Sequence, residues 1–173
     1  METDKNKQNM MTPYNETFWA YGQTSFRCDR NGGQWGWIYE YTGTVGNSST
    51  TPLISGGGDE KCDGNDTYSS VGDIVGNLAV ENKRETLEIK YLINDPNDPD
   101  LILTEAHLWV GCNINDLPTN GNNVPPGQLP YIEEFKVSEN KTSHTFSIEK
   151  IKLSCSSSFF IAAHGVVYSP EKI

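Results

Sequence analysis

The chain has 173 residues, 35% of them hydrophobic, and a formal net charge of −10 from 23 acidic against 13 basic side chains. That length suits one domain with a sizeable core, and an acidic surface repels phosphate backbones, which argues against nucleic acid as a partner. Its 16 glycines and nine prolines, among abundant Asn, Ser and Thr, favour short strands joined by turns over helices.

Residues 1–13 are polar and unpatterned and read as a flexible arm. NETFWAY, from Asn15 to Tyr21, is a short first strand. Gln34 to Thr42, QWGWIYEYT, is the next, with Trp35, Trp37, Tyr39 and Tyr41 on one face under a period of two. Such a ladder either stacks sugar rings or forms inter-sheet core, since aromatic rings bury large areas and pair across strands. Gly43 to Thr51 reads as loop, and Leu53 and Ile54 as a brief strand.

The acidic segment SGGGDEKCDGNDTYSS follows, where Asp59, Asp63 and Asp66 stand with Glu60 and Asn65 on glycine-permitted backbone. Calcium takes six to eight oxygens at ~2.4 Å, and this loop offers several, without the EF-hand spacing; an acidic solvated turn has the same composition. Val71 to Val80 is a strand interrupted by glycines. Thr86 to Ile93 has Leu87, Ile89, Tyr91 and Ile93 inward and Glu88 and Lys90 outward, the alternation of a half-buried antiparallel strand. NDPNDPD, from Asn94 to Asp100, is a second candidate cation loop and equally ordinary turn chemistry.

LILTEAHLWV, Leu101 to Val110, is strongly apolar and chemically marked. Alternation places Ile102, Thr104, Ala106, Leu108 and Val110 on one face and Leu101, Leu103, Glu105, His107 and Trp109 on the other. Gly111 to Pro130 is a long proline-rich loop, which must be functional or tethered, with Cys112 at its start. Tyr131 to Val137 and Ser143 to Lys150 are further strands. FFIAAHGVVY, Phe159 to Tyr168, closes the domain with His164 mid-strand, leaving residues 169–173 as tail. The pattern predicts an all-β, antiparallel β-sandwich of jelly-roll or immunoglobulin-like type over residues 14–168, with eight or nine strands and no internal repeat.

Cys28, Cys62, Cys112 and Cys155 contain no C-x-x-C pair, which argues against a zinc knuckle. Their polar surroundings point to two disulfides, with three possible pairings, and hence to an oxidising compartment. Sequons at Asn15, Asn47, Asn65 and Asn140 agree with secretion to the outside or the cell surface. No run is long and apolar enough to be a transmembrane segment, and METDKNKQNMM is not a signal peptide, so an exported form would have had its signal removed.

FWAYG, WGW at Trp35–Trp37, EAHLWVG at Glu105–Gly111, PGQLPY at Pro126–Tyr131 and AAHGVV at Ala162–Val167 come in an order that resembles a class of uncharacterised secreted or cell-surface all-β domains of microbes. The resemblance covers most of the chain. It implies an extracellular β domain whose shared framework includes both histidine strands and the PGQLPY loop, and it implies neither substrate nor catalytic residue.

Hydrolysis by a nucleophile needs Ser or Cys, a His base and an orienting acid; the histidines are His107, His144 and His164, and no G-x-S-x-G turn occurs. No carboxylate pair stands out as a glycosidase pair. Glu105 and His107, two apart on one strand, project from one face, and His164 on a neighbouring strand would complete a transition-metal set; a strand histidine bonded within the core is the plainer reading. The expected function is a non-catalytic extracellular binding module with Trp35, Trp37 and Trp109 as stacking residues. A glycan or extracellular matrix component is the expected partner, and calcium an optional aid. The alternatives are a self-associating (homo-oligomeric) structural or adhesive subunit, and a metal-binding or polysaccharide-acting enzyme.

Overall fold

In the computed structural model, residues 14–153, 155 and 158–170 are described. The expected arm at 1–13 and the last three residues of the expected tail lie outside them. The chain is all-β, as its composition predicts, with ten antiparallel strands: β1 (Tyr14–Ala20), β2 (Thr24–Ser25), β3 (Trp37–Thr42), β4 (Ser48–Ser55), β5 (Asp73–Asn82), β6 (Thr86–Ile93), β7 (Ile102–Gly111), β8 (Tyr131–Glu134), β9 (Ser143–Glu149) and β10 (Ser158–Ser169).

The FFIAAHGVVY strand, β10, is the centre. One of its edges pairs with β7 from Phe160 to Tyr168. The other is shared end to end by β3, on Ser158–Ile161, and β1, on His164–Ser169. The second layer is β4–β5–β6–β9, and β4 carries the sheet from one layer into the other, pairing with β1 at Leu53–Ser55 and with β5 along its whole length. Between the layers lies the main core. Leu78, Val80, Leu87, Ile89, Tyr91, Phe146 and Ile148 come from one side, and Leu103, Ala106, Leu108, Val110, Ile161, Ala163 and Val167 from the other. Contact at the centre is close: a Cβ on Gly165 would lie 2.2 Å from Phe18 Cζ and 2.7 Å from the Glu105 carbonyl oxygen.

Ten strands stand where the sequence reading counts eight or nine, the short β2 among those not foreseen, and three further local departures stand out. β4 begins at Ser48, inside the segment read as loop, because Ser48–Thr51 pairs with Leu78–Glu81 without any apolar alternation of its own; backbone pairing and β-branched threonine suffice there. Ser169, assigned to the tail, is the last residue of β10 and is buried, donating from its hydroxyl to Asp98 Oδ2 at 2.7 Å. The third is a bulge in β7. Val166 pairs with Glu105 but Val167 pairs with Leu103, so Thr104 is an extra residue. One extra residue reverses the alternation, and Leu101 and Leu103 join Ala106, Leu108 and Val110 in the main core instead of sharing a face with Glu105 and His107.

The outer face of the β7–β10 layer is also covered. A second core of Trp19, Phe26, Trp37, Ile54, Val71, Trp109, Leu117, Val124, Leu129 and Ala162 lies beneath the long loops. The loop at 111–130 is held in three ways. Cys112 is bonded to Cys155; the Gln34 amide accepts from Val124 N at 2.6 Å and donates to its carbonyl at 2.9 Å; and Asn123 Oδ1 accepts from Gly33 N at 3.0 Å. The PGQLPY segment supplies Leu129 to this core. Burial on both faces explains why these two strands read as nearly continuous apolar runs.

Candidate functional site

Of the three possible pairings, the cysteines adopt Cys28–Cys62 and Cys112–Cys155, 34 and 43 residues apart. Asn15, Asn47, Asn65 and Asn140 are all exposed. Among the described residues no helix is long and apolar enough to cross a membrane.

The two histidine strands are neighbours, and His107 stands directly opposite His164. Their rings form part of a row across the sheet, Trp19 on β1, His164 on β10, His107 on β7 and Ile132 on β8. Ring centroids are 4.7 Å apart for Trp19 and His164 and 5.5 Å for the two histidines, both edge-to-face. His107 is 8% and His164 6% exposed, and the Nδ1 atom of each is buried without a hydrogen-bond partner. Burial, with a smaller contribution from His107, pushes the His164 imidazole down to about 3, so it stays neutral near pH 7.

The next row outward is Thr17, Val166, Glu105 and Glu134. Glu105 Oε1 lies 4.0 Å from His107 Nε2. Glu105, His107 and His164 therefore share a face, as expected. Their donor atoms do not, however, all come within 4.8 Å of one another in the described arrangement. His144 lies elsewhere, against Phe135 and Phe146.

The acidic loop is organised by its own backbone. Asp66 accepts from Lys61 N at 3.0 Å and Cys62 N at 2.9 Å, and Asp63 Oδ1 from Asn65 N at 3.0 Å. Asp59, Asp63 and Asp66 do not converge on a common point; among the described residues the close donor group is Cys28, Glu60 and Cys62, whose sulfurs are joined in a disulfide. In the second acidic loop Asp95 Oδ1 accepts from Asn97 N at 2.9 Å, again a turn closed on itself.

The tryptophans chosen as stacking residues are mostly core. Trp37 is 2% and Trp109 6% exposed, and Trp35 is half-buried against the same cluster. The four aromatics of QWGWIYEYT divide between the two cores: Trp35 and Trp37 pack in the second, Tyr39 and Tyr41 in the main one. Loops closing over the outer face, invisible to a strand-by-strand reading, are the reason.

Among the open clefts of the described residues, one of about 220 Å³ lies beside Cys28–Cys62, lined by Tyr21, Gln23, Ser25, Asp29, Trp37, Glu60 and Asp66; a wider one of about 590 Å³ lies between Tyr14, Glu16, Asp73 and Asp95 and carries no tryptophan or acidic triad of the sequence reading. Tyr21 is half-buried and Tyr68, beside it at 6.2 Å between ring centroids, is exposed. Burial raises the Tyr21 phenol, helped by the charges of Glu60 and Asp66. The acceptors in the walls are fixed from behind. Glu60 takes the Ser25 hydroxyl at 2.7 Å and Trp37 Nε1 at 2.9 Å, Asp29 takes Ser25 N at 2.7 Å, and Gln23 bonds both backbone groups of Glu40. Sequence reasoning used Trp37 and Asp66 but not Tyr21, Gln23, Glu60 and Tyr68 as a group; the Cys28–Cys62 pairing, open at that stage, is what would have brought their segments together.

Comparison with known proteins finds no matching family model, no matching curated protein and no matching solved structure.

Proposed function

We propose that the chain is a non-catalytic extracellular binding module for neutral glycans, and that one sugar residue occupies the cleft beside Tyr21 and Tyr68. The observation that carries this reading is a cleft in which the half-buried Tyr21 ring meets a wall of immobilised acceptor oxygens, with the exposed Tyr68 ring beside Tyr21. Sugar hydroxyls are donors as well as acceptors, and a pocket whose polar groups are already held in place loses little freedom on binding. The volume is small beside the ~300–1,000 Å³ of drug-sized sites, which favours a single ring over an extended chain. Three carboxylates in the wall, on a chain of net charge −10, disfavour sulfated or uronate ligands. Two disulfides support an extracellular setting, where such bonds persist. In this reading calcium is not needed, since Asp63 and Asp66 are satisfied by backbone N–H groups.

A glycan array followed by calorimetry on the best neutral hit tests it. Tyr68→Ala is expected to weaken binding about tenfold or more, consistent with the loss of a stacking face, while EDTA leaves it unchanged. The absence of any neutral glycan from the hits, or equal affinity in the Tyr68→Ala variant, overturns it.

A further inference from the structure

We propose that the end of the sandwich where β3, β5, β9 and β10 meet holds a binding site for a small monocarboxylate with an apolar body, its carboxylate on Lys150 and its body against Phe159 and Val45. Topology sets the place. Thr42 ends β3 and Asn82 ends β5, Lys150 follows the last residue of β9, and Phe159 is the second residue of β10. β3 and β10 belong to one layer and β5 and β9 to the other, so a cleft among these ends opens between the layers. Its volume is about 450 Å³, within the ~300–1,000 Å³ of small-molecule sites. Phe159, a member of the main core, and the Cys112–Cys155 bridge give it an apolar wall, and Val45, 58% exposed, lines it from the turn after β3.

The cation in this cleft is held by a neutral partner. Asn82 is buried and tied down: its N–H donates to Asn47 O at 3.0 Å, its carbonyl accepts from Gly46 N at 2.7 Å, and its Nδ2 donates to Gly43 O at 2.9 Å. That network leaves Oδ1 as the side-chain acceptor, and Lys150 Nζ donates to it at 2.7 Å. Lys150 N also donates to Glu85 O at 2.9 Å, which fixes the root of the lysine. An ammonium has three donors, and Asn82 takes one. Among the described residues Lys150 forms no ion pair, although the chain has 23 acidic side chains. A half-buried cation beside an apolar wall, with a neutral partner, lacks its counter-charge. A carboxylate entering the cleft supplies it.

Ligand class follows from the count of charges. One ammonium matches a monoanion. A phosphate ester, closer to a dianion, calls for more than one cation or a bidentate guanidinium, and the net charge of −10 opposes it further. Thr42 and Thr44 line the same cleft and bring hydroxyl donors for the second carboxylate oxygen. Because Asn82 already holds the ammonium, little freedom is lost on binding. The cleft shares no lining residue with the tyrosine cleft, and the site stands independently of the glycan reading.

Chemical-shift titration of the ¹⁵N-labelled full chain with hexanoate and with phenylpropionate, and with the primary amide of each as a neutral control, tests it. One saturable site is expected for each acid, with the N–H signals of Gly43, Asn82 and Lys150 among those that move, and each amide about tenfold weaker or more. Lys150→Met should bring the acids down to the level of their amides. Because losing the Asn82 contact can impair folding, Val45→Asp, at an exposed turn position, is the second variant. It leaves Lys150 and Asn82 in place and sets a like charge beside the ligand, so the acids should weaken roughly threefold or more while the amides and Tm stay near the parent values. No saturable binding of either acid by the parent, equal affinity for acid and amide, unchanged acid affinity in folded Lys150→Met or in Val45→Asp, or tighter binding of hexyl phosphate than of hexanoate would each overturn the proposal.

Discussion

The hydroxyl of Tyr91 on β6 donates to the main-chain carbonyl of His107 on β7 at 2.8 Å, across the interior of the sandwich. Tyr91 is fully buried among Phe18 and Phe146, so one polar contact ties the second layer to the strand that carries the histidine row. That carbonyl lies at the core of the protein, where a lost partner is not replaced by water.

Tyr91→Phe keeps the ring and removes the donor, and should destabilise the fold by about 1–2 kcal/mol in chemical denaturation. Burial raises the Tyr91 phenol well above 10. In the unfolded chain it ionises near 10, so above that pH the unfolded state sheds a proton that the fold retains, and stability falls. Alkaline denaturation of Tyr91→Phe should therefore show a shallower loss above pH 10 than the parent; an identical slope would remove Tyr91 from the account.

His164 sets the opposite limit. Its imidazole titrates at about 3 in the fold and near 6.5 when unfolded. Between those values the unfolded chain binds a proton that the fold does not. Stability is therefore lost as pH falls below 6.5, on the order of 3 kcal/mol by pH 4.5. Urea midpoints from pH 7 to 4.5 should fall more steeply for the parent than for His164→Gln, which cannot take up that proton.

Which parts of this were legible in the sequence follows from the range of the forces involved. β6 is buried on one face and solvated on the other, and its alternation of Leu87, Ile89, Tyr91 and Ile93 is local, so its bounds were read as they stand. The histidine strands were recognisable as extended from apolar content alone. Two things were not local. The bulge at Thr104 arises because Glu105 and Leu103 must both meet successive residues of β10, 61 and 64 residues away in sequence, and nothing in LILTEAHLWV marks it. Loop cover over Trp37 and Trp109 likewise comes from Leu117, Val124 and Leu129, whose segment looks like surface loop until Gln34 and Asn123 fasten it. Tyr68 was hidden for the converse reason, lying in an acidic stretch that draws attention to its carboxylates.

Gly165 follows His164 for a steric reason. A methyl group there would meet Phe18 Cζ at 2.2 Å and a backbone oxygen at 2.7 Å, and backbone cannot give way as a flexible side-chain end can. Gly165→Ala should cost about 2 kcal/mol or more from overpacking. Gly127→Ala, where nothing lies within 4 Å, should stay within about 0.5 kcal/mol. Thermal melts of the two variants side by side decide the matter, and equal Tm values would show the sheet centre to be looser than described.

The two disulfides should separate stability from binding. They close loops of 34 and 43 residues, and the chain-entropy argument assigns each roughly 4 kcal/mol, so by unfolding alone they are nearly equivalent. Their surroundings differ. Cys28 and Cys62 line the tyrosine cleft and join the segment carrying Ser25 and Asp29 to the one carrying Glu60 and Asp66, whereas Cys112–Cys155 anchors the long loop to the turn before β10. Replacing Cys28 and Cys62 together by Ser should lower both Tm and affinity for a neutral glycan. The corresponding double replacement of Cys112 and Cys155 should lower Tm by a similar amount while leaving affinity intact at a temperature where the variant is folded. Melting curves and calorimetry on both variants give the comparison, and equal loss of affinity in the two would mean that the cleft is not shaped by the Cys28–Cys62 bridge.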